Sequence, residues 1–260
     1  FKQKTAYEIS TRDWSSDVCS SDLKVAVVTG AAGGMGSAVV AEFHKRGFKV
    51  IGVDHKSGKT ECDEFFTGDI CDEALWRTIS TTIAEKYGKV DALVNIAGRN
   101  YLSLINEADL NQWRNMFEVN VIGMVTSIKH MKQLLDKGEA PTVVNMSSIA
   151  SYIGSIGYAA YCATKGAVDS LTKSLALEFA PKIRVNAIAP GWIETPFTVE
   201  GLEKSEDPVQ YRKDVEAMHA LQRVGTPQEI AQSIYWMSSS ESSFMTGSVV
   251  IVDGGYMIKN

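Results

Sequence analysis

A glycine-rich turn between an apolar run and an amphipathic segment restricts the fold of this chain more than any other feature. Lys24–Thr29 is a short run of β-branched and small apolar residues, the pattern of a strand buried on both faces. The turn that follows reads Gly30-Ala31-Ala32-Gly33-Gly34-Met35-Gly36 and opens a segment with apolar residues at helical spacing. Glycines there let the backbone approach a pyrophosphate, which the N-terminus of the next helix attracts. The pattern therefore predicts a nucleotide-binding strand–turn–helix unit.

Strand-like and helical patterns alternate along the rest of the chain. Further strand-like runs lie at 48–53, 65–66, 90–95, 141–146, 183–188 and 248–252. Helical patterns lie at 33–47, 72–87, 108–136, 158–180 and 226–239. This alternation predicts an α/β fold: a single-domain, doubly wound (Rossmann) sheet of about seven parallel strands with helices on both faces. The polar stretch 196–225 interrupts the alternation, and we expect it to be a substrate-loop insertion over the active site of a domain spanning 24–260.

Composition excludes several classes of partner. The formal net charge of −5 provides no field that attracts nucleic acid or an anionic membrane, and the apolar runs are too short to span a bilayer. The cysteines, at positions 19, 62, 71 and 162, have neither CxxC spacing nor histidine partners at metal-ligand spacing. We therefore expect a cytoplasmic protein with reduced thiols, no metal site, and neither nucleic acid nor membrane as a partner.

Residues 1–23 need a separate interpretation because they show no helical or strand periodicity. Codons for Lys2–Ile9 and for Asp13–Leu23 can be written so that both strings resemble a common short-read sequencing adapter, in the right order. We expect this segment to be translated adapter, a non-native or disordered leader outside the fold.

An acidic residue follows the second predicted strand, 18 residues beyond Gly36. A carboxylate there accepts hydrogen bonds from a ribose 2′-hydroxyl and repels a 2′-phosphate, so Asp54 favours NAD over NADP. His55 and Lys56 come next, and the lysine could soften the discrimination against the phosphate.

Tyr161 and Lys165 lie four residues apart in a predicted helix and therefore share one of its faces. A cation near a phenol favours the phenolate and lowers the pKa of the tyrosine, which gives a general acid/base suited to an alcohol. Ser148 ends a predicted strand and could hold the substrate oxygen beside Tyr161, although Ser147 competes for that role.

Taken together, these motifs resemble the short-chain dehydrogenase/reductase superfamily. The pattern comprises Thr29-Gly-x-x-x-Gly-x-Gly36, Asn95-Ile96-Ala97-Gly98, a helical Asn120, Ser148, Tyr161-x-x-x-Lys165 and Pro190-Gly191, in order and at family spacing. The resemblance covers essentially all of 24–260. Ile96 departs from the usual Asn-Asn-Ala-Gly, a mild apolar change that leaves the predicted fold intact.

The resemblance implies a role for each matching position. Tyr161 would be the acid/base, Lys165 would lower its pKa and bind the nicotinamide ribose, and Ser148 would stabilise the reacting oxygen. Asn120 would hold a proton-relaying water through its backbone. The implied cofactor-binding residues are Gly30, Gly34, Met35, Gly36, Asp54, Asp69, Ile70, Asn95, Ala97, Gly98, Tyr161, Lys165, Pro190, Gly191, Ile193 and Thr195.

The implied activity is NAD-dependent interconversion of a secondary alcohol and a ketone by hydride transfer. The alternatives are a 3-oxoacyl thioester reductase that uses NADPH and a catalytically silent, nucleotide-sensing regulator. The expected pocket residues are Arg99, Asn100, Tyr152, Ile153, Tyr158, Trp192 and Phe197, and they leave a polyol, a hydroxy acid and a 3-oxoacyl thioester equally open as substrates. The resemblance also implies a homotetramer, a dimer of dimers.

Overall fold

The seven predicted strands form one fully parallel sheet. The computed structural model describes residues 23–58, 60–196, 198–199 and 207–259, so the predicted leader lies outside the described residues except for Leu23. The strands are β1 (Lys24–Thr29), β2 (Phe48–Asp54), β3 (Glu64–Thr67), β4 (Ala92–Asn95), β5 (Thr142–Met146), β6 (Arg184–Pro190) and β7 (Val249–Val252). Their order in the sheet is β3-β2-β1-β4-β5-β6-β7, which confirms the predicted doubly wound α/β fold.

The helices fill the connections between the strands. They are α1 (Gly34–Lys45), α2 (Glu73–Lys86), α3 (Leu110–Phe117), α4 (Gly123–Leu135), α5 (Ala159–Phe179), α6 (Pro208–Ala217), α7 (Pro227–Ser238) and α8 (Tyr256–Lys259). The single helix predicted over 108–136 is instead two helices joined by a π-helical turn at Glu118–Ile122. Helix α6 lies within the predicted insertion 196–225. None of the helices in the described ranges is long and apolar enough to cross a membrane.

Local sequence explains where several helices begin. Asp72 caps α2 by accepting a hydrogen bond from the amide of Ala74 at 2.8 Å. At the start of α7, Thr226 and Glu229 form a capping box in which each side chain accepts from the other residue's backbone amide.

Two apolar cores lie on opposite faces of the sheet because successive strand residues point to opposite sides. In β1, Val25 and Val27 face a core that α2, α4 and α5 cover. Ala26 and Val28 face the other core, which α1 and α7 cover.

The strand order determines where a ligand-binding crevice can form in this fold. Strand β1 pairs with β2 on one side and with β4 on the other, so the chain reverses its direction of winding between β1 and β4. A crevice opens outside the carboxyl ends of the strands at such a reversal. The glycine turn, Asp54 and the ends of β4 and β5 all lie at this edge.

Candidate active site

The glycine turn after β1 is built so that only glycine fits at two positions. Gly30 has φ of 69°, and a Cβ atom on it would lie 2.9 Å from the amide nitrogen of Ala97. A Cβ atom on Gly36 would lie 1.9 Å from the carbonyl oxygen of Gly30. Gly33 precedes α1 and supplies no side-chain cap, so the first amides of the helix face the crevice without a side-chain acceptor. The turn therefore fits the pyrophosphate of a dinucleotide, with Gly34 and Met35 in the first turn of the helix.

Asp54 ends β2 as a buried carboxylate, only 6 % exposed. Its Oδ2 accepts a hydrogen bond from the amide of Ala32 at 3.0 Å, and its Oδ1 accepts from the amide of Lys56 at 3.1 Å. Nδ1 of His55 lies 3.0 Å from Oδ1. The carboxylate is thus fixed beside the glycine turn, where an adenosine ribose would lie.

The turn after β4 is held against the glycine turn. The hydroxyl of Thr29 accepts hydrogen bonds from the amides of Ile96 and Ala97 at 3.1 and 3.2 Å. The Asn95 side chain lies inside the sheet, where Nδ2 donates to Oδ1 of Asn145 and Oδ1 accepts from Ser127. That Asn95 lines the cofactor cleft therefore remains a prediction, since its side chain joins β4 to its neighbours.

The remaining predicted cofactor residues lie on either side of the crevice. Asp69 is exposed, whereas Ile70 is buried. The side chain of Ile70 packs closely against α4, because a Cβ atom on Gly123 would lie 2.6 Å from it. On the other side, Pro190 ends β6, and the backbone at Gly191 is so close to Asp253 that a Cβ atom there would lie 2.9 Å away. Two further residues of this segment, Ile193 and Thr195, are buried. A Cβ atom on Gly34 would lie 3.3 Å from Cβ of Thr195, so the segment after β6 reaches the glycine turn.

Asn120 lies in the π-helical turn and fastens the end of the β4 segment. Its Oδ1 accepts from the amide of Arg99 at 2.8 Å, and its Nδ2 donates to the carbonyl of Arg99 and to the hydroxyl of Thr164. A Cβ atom on Gly98 would lie 3.2 Å from the same Oδ1. The side chain is fully occupied, which is consistent with the expectation that Asn120 acts through its backbone.

Residues at the end of β5 contact side chains on successive turns of α5. Nζ of the buried Lys165 donates to the carbonyl of Met146 at 2.8 Å. The hydroxyls of Ser148 and Tyr161 lie within hydrogen-bonding reach of each other. The structure thus brings Ser148, Tyr161 and Lys165 together at one end of the sheet, as the sequence predicts.

Burial controls the protonation of the two titratable groups in the free protein. It raises the pKa of Tyr161 to about 12, although the hydrogen bond with Ser148 acts in the opposite direction. It lowers the pKa of Lys165 to about 8, and the negative charge of Asp169 partly offsets this effect. In the free protein, burial outweighs the other influences on Tyr161, so the expectation that Lys165 lowers the pKa of Tyr161 stays a prediction. The ammonium lies over the phenol ring, 5.4 Å from its centroid, and desolvation of the phenolate dominates.

The structure adds a residue near the site that the sequence analysis missed, Asp169. Ser147, the competitor of Ser148, donates its hydroxyl to the buried Asp169. Asp169 lies four residues after Lys165, and this spacing was a signal that could have identified it.

Aromatic side chains form the wall beyond Tyr161. Its ring lies 6.4 Å from that of Tyr158, and the rings of Trp192 and Tyr211 are 6.3 Å apart. Tyr256 and Tyr211 are close enough to Tyr158 to contribute to its raised pKa, although burial is the largest cause. Tyr211 and Tyr256 were missed because they lie far along the chain, in α6 and at the start of α8.

The expected pocket cation is engaged elsewhere. Nη2 of Arg99 donates to Oε1 of Gln112 in α3 at 2.9 Å. Tyr152 is half exposed after β5, and Phe197 lies outside the described residues. In the part of the chain that the structure describes, no group of three His, Cys, Asp or Glu side chains could hold a metal ion.

Comparisons with known proteins agree with this geometry. Residues 30–257 match the family described as Enoyl-(Acyl carrier protein) reductase. The chain is 35 % identical over 247 residues to an NADP-dependent (R)-specific alcohol dehydrogenase of Lentilactobacillus kefiri, covering 90 % of this chain and 96 % of the relative. It is 33 % identical over 249 residues to a 3-oxoacyl-(acyl-carrier-protein) reductase of Thermotoga maritima, covering 90 % and 98 %.

A solved structure gives the same result for the whole fold. Ligand-free aldohexose dehydrogenase of Thermoplasma acidophilum superposes with a TM-score of 0.87 at 32 % identity, covering 92 % of this chain and 95 % of that one. The chain belongs to the short-chain dehydrogenase/reductase superfamily and is an NAD(P)-dependent oxidoreductase that acts on hydroxyl groups.

Proposed function

We propose that the protein interconverts a secondary alcohol and a ketone with NAD, using Tyr161 as the general acid/base. The convergence of Ser148, Tyr161 and Lys165 at the end of β5 carries this proposal. Tyr161 takes the proton of the alcohol hydroxyl during oxidation and returns it during reduction, while Ser148 holds the same oxygen by a hydrogen bond. Lys165 binds ribose hydroxyls of the cofactor. When bound, the nicotinamide would accept the hydride during oxidation and donate it during reduction.

The choice of NAD rests on Asp54. A buried carboxylate beside the glycine turn accepts from a ribose 2′-hydroxyl and repels a 2′-phosphate. The alcohol dehydrogenase of Lentilactobacillus kefiri is NADP-dependent by name, and Lys56 lies two residues after Asp54. Activity with NAD must therefore be compared directly with activity with NADP.

The pocket wall favours a neutral, ring-bearing or otherwise apolar substrate. Tyr158, Trp192 and Tyr211 present aromatic surface beyond Tyr161, and such surface binds apolar groups well. The guanidinium of Arg99, the cation expected to attract a carboxylate or phosphate, donates to Gln112, which directs it toward α3. We therefore rank an apolar alcohol above a hydroxy acid or a 3-oxoacyl thioester.

We also propose a homo-oligomer, assembled as a dimer of dimers. Beside β7, Phe244 is fully exposed, and Trp236 and Ile251 are 41 % and 42 % exposed. On α5, Leu177 is 84 % exposed. The exposed apolar side chains beside β7 offer surface for contact with a second copy of the chain. The described cysteines are free thiols, which supports the proposed cytoplasmic location.

The decisive experiment measures reduced nicotinamide by its absorbance. The purified protein is given NAD or NADP with matched pairs of alcohols, one neutral and one carrying a carboxylate on the same ring. In the reverse direction it is given NADH or NADPH with a 3-oxoacyl thioester. We expect turnover with NAD, with the neutral alcohol giving the higher kcat/KM. Turnover of the thioester alone, with NADPH, would establish the reductase alternative. Cofactor binding without any turnover across the panel would establish the regulator alternative.

A further inference from the structure

Asp169 is a buried carboxylate that the proposed chemistry leaves unused. It lies one helical turn after Lys165 on the same face of α5 and is only 8 % exposed. No basic side chain in the described part of the chain forms a direct ion pair with it. A buried carboxylate without a direct ion pair is costly, so its presence calls for a compensating role.

Ser147 fixes the position of this carboxylate. The hydroxyl of Ser147 donates to Oδ1 of Asp169, so the serine side chain of β5 holds the carboxylate of α5. The amide of Ser147 donates to the carbonyl of Ile188 in β6 at 2.7 Å, so the serine itself is anchored to the sheet. The carboxylate of Asp169 is therefore held between α5 and the end of β5.

Lys165 is the group that this charge affects most directly. Its Nζ donates to the carbonyl of Met146 rather than to a carboxylate, and burial disfavours its charged form. Asp169 is the charged group that acts against this desolvation. Tyr161, on α5, and Tyr152, in the turn after β5, are the other titratable groups nearby. Burial raises the pKa of both, so they are neutral near pH 7.

We propose that Asp169 is a positioning residue: held by Ser147, it is the counter-charge that keeps the buried Lys165 ammonium protonated. The proposal rests on the proposed function, because it assumes that charged Lys165 binds the cofactor. Asp169 touches neither substrate nor cofactor and acts through Lys165 alone.

The test is the pH dependence of NADH affinity, measured by fluorescence from pH 6 to 9. NADH is the probe because its nicotinamide ring carries no charge that Asp169 could attract directly. In the wild type, affinity should fall as Lys165 loses its proton, with a midpoint near the pKa of about 8. Asp169→Asn removes the charge and keeps the shape, so the fall should begin about one pH unit lower. The variant should match the wild type at pH 6 and bind roughly fivefold more weakly at pH 8.

Matched variants separate this role from a structural one. Ser147→Ala loses the hydrogen bond but keeps the charge of Asp169, so its midpoint should stay at the wild-type value. Asp169→Thr also removes the charge, with a side chain of different shape, and should show the same shift of the pH midpoint as Asp169→Asn. If one of the two variants folds poorly, the other still tests the proposal. An equal loss of affinity at every pH in both variants would mean that Asp169 only supports the fold, and it would overturn the proposal.

Lys165→Met tests the premise that charged Lys165 binds the cofactor. This variant should bind NADH weakly and without the pH-dependent fall. If Lys165→Met and the wild type bind NADH equally across the range, the proposed role of Lys165 is wrong and the inference about Asp169 falls with it. If Lys165→Met behaves as expected but Asp169→Asn keeps the wild-type midpoint, only the inference about Asp169 is wrong.

Discussion

The carboxylate of Asp54 accepts a hydrogen bond from the amide of Ala32 at 3.0 Å, which joins the end of β2 to the turn that begins α1. One side chain therefore has two functions: it holds the glycine turn in shape and stands where an adenosine ribose would lie. Substitutions at Asp54 should consequently affect both the turn and the choice of cofactor, and a suitable pair of variants can separate the two effects.

We predict that the wild type prefers NAD over NADP by at least about tenfold in kcat/KM, equivalent to about 1.4 kcal/mol. Asp54→Ala should erode this preference and lower the melting temperature, because the turn loses its acceptor. Asp54→Asn keeps one oxygen for the amide of Ala32 but turns its NH2 toward the amide of Lys56, so it should relax selectivity with a smaller loss of stability than Asp54→Ala. Steady-state kinetics with both cofactors check this, and a wild-type preference for NADP would instead indicate Lys56 as a phosphate ligand.

A second prediction concerns Tyr161. Tyr161→Phe keeps the packing of the ring and removes only the hydroxyl, so turnover should fall by orders of magnitude while folding and cofactor binding persist. The measurements are kcat, the melting temperature and NADH fluorescence. Substantial turnover in this variant would defeat the proposed mechanism.

The two neighbouring serines provide a matched comparison. Ser148→Ala should lower kcat roughly hundredfold, because Ser148 orients the reacting oxygen beside Tyr161. Ser147→Ala should cost much less in kcat, since the hydroxyl of Ser147 is directed to Asp169. The reverse order of effects would assign the oxygen-binding role to Ser147.

The strands and the glycine turn could be predicted from the sequence. The inner strands are buried and read as continuous apolar runs, and the partly exposed edge strands β3 and β7 also contain short apolar runs, so the seven strands were found. Gly30 and Gly36 marked the turn, where a Cβ atom at either position would clash. The π-helical turn around Asn120 could not be predicted, because a single widened turn leaves the apolar period of the flanking helices almost unchanged.

The protonation of the site residues was harder to predict than which residues form the site. Sequence spacing placed Lys165 near Tyr161, but it could not show that the ammonium lies over the ring rather than at the hydroxyl. Whether a neighbour's charge or burial dominates a pKa depends on solvent exposure, which spacing does not determine. The bond between Ser147 and Asp169 likewise depends on how α5 crosses the end of β5.

A fourth prediction follows from the raised pKa of Tyr161. In the free protein, an ultraviolet titration compared with that of Tyr161→Phe should assign to Tyr161 an ionisation well above pH 10, because burial raises its pKa to about 12. The phenolate grows with pH, so alcohol oxidation should rise with pH. With NAD bound, the positive ring should move that ionisation below the ordinary phenol value. Lys165→Ala should move the rate profile upward in pH, and an unchanged profile would remove Lys165 from the acid–base chemistry.

The last prediction tests stability away from the site. Arg184 begins β6, and its guanidinium donates to the carbonyls of Met237, Ser239 and Met245, two at the end of α7 and one in the turn that leads to β7. A cation at the C-terminus of a helix is favourable, and burial lowers the pKa of this arginine without making it neutral.

Arg184→Ala would leave these carbonyls without their donor and should cost about 3 kcal/mol of unfolding free energy. For a chain of this size, that corresponds to a fall of roughly 6–12 °C in melting temperature. The exposed Arg77, which pairs with Glu73 at 3.7 Å on α2, is the matched control. Because a surface pair contributes little, Arg77→Ala should change the free energy by less than about 1 kcal/mol. Equal effects of the two substitutions in thermal denaturation would show that the Arg184 contacts do not stabilise the junction of β6 and α7.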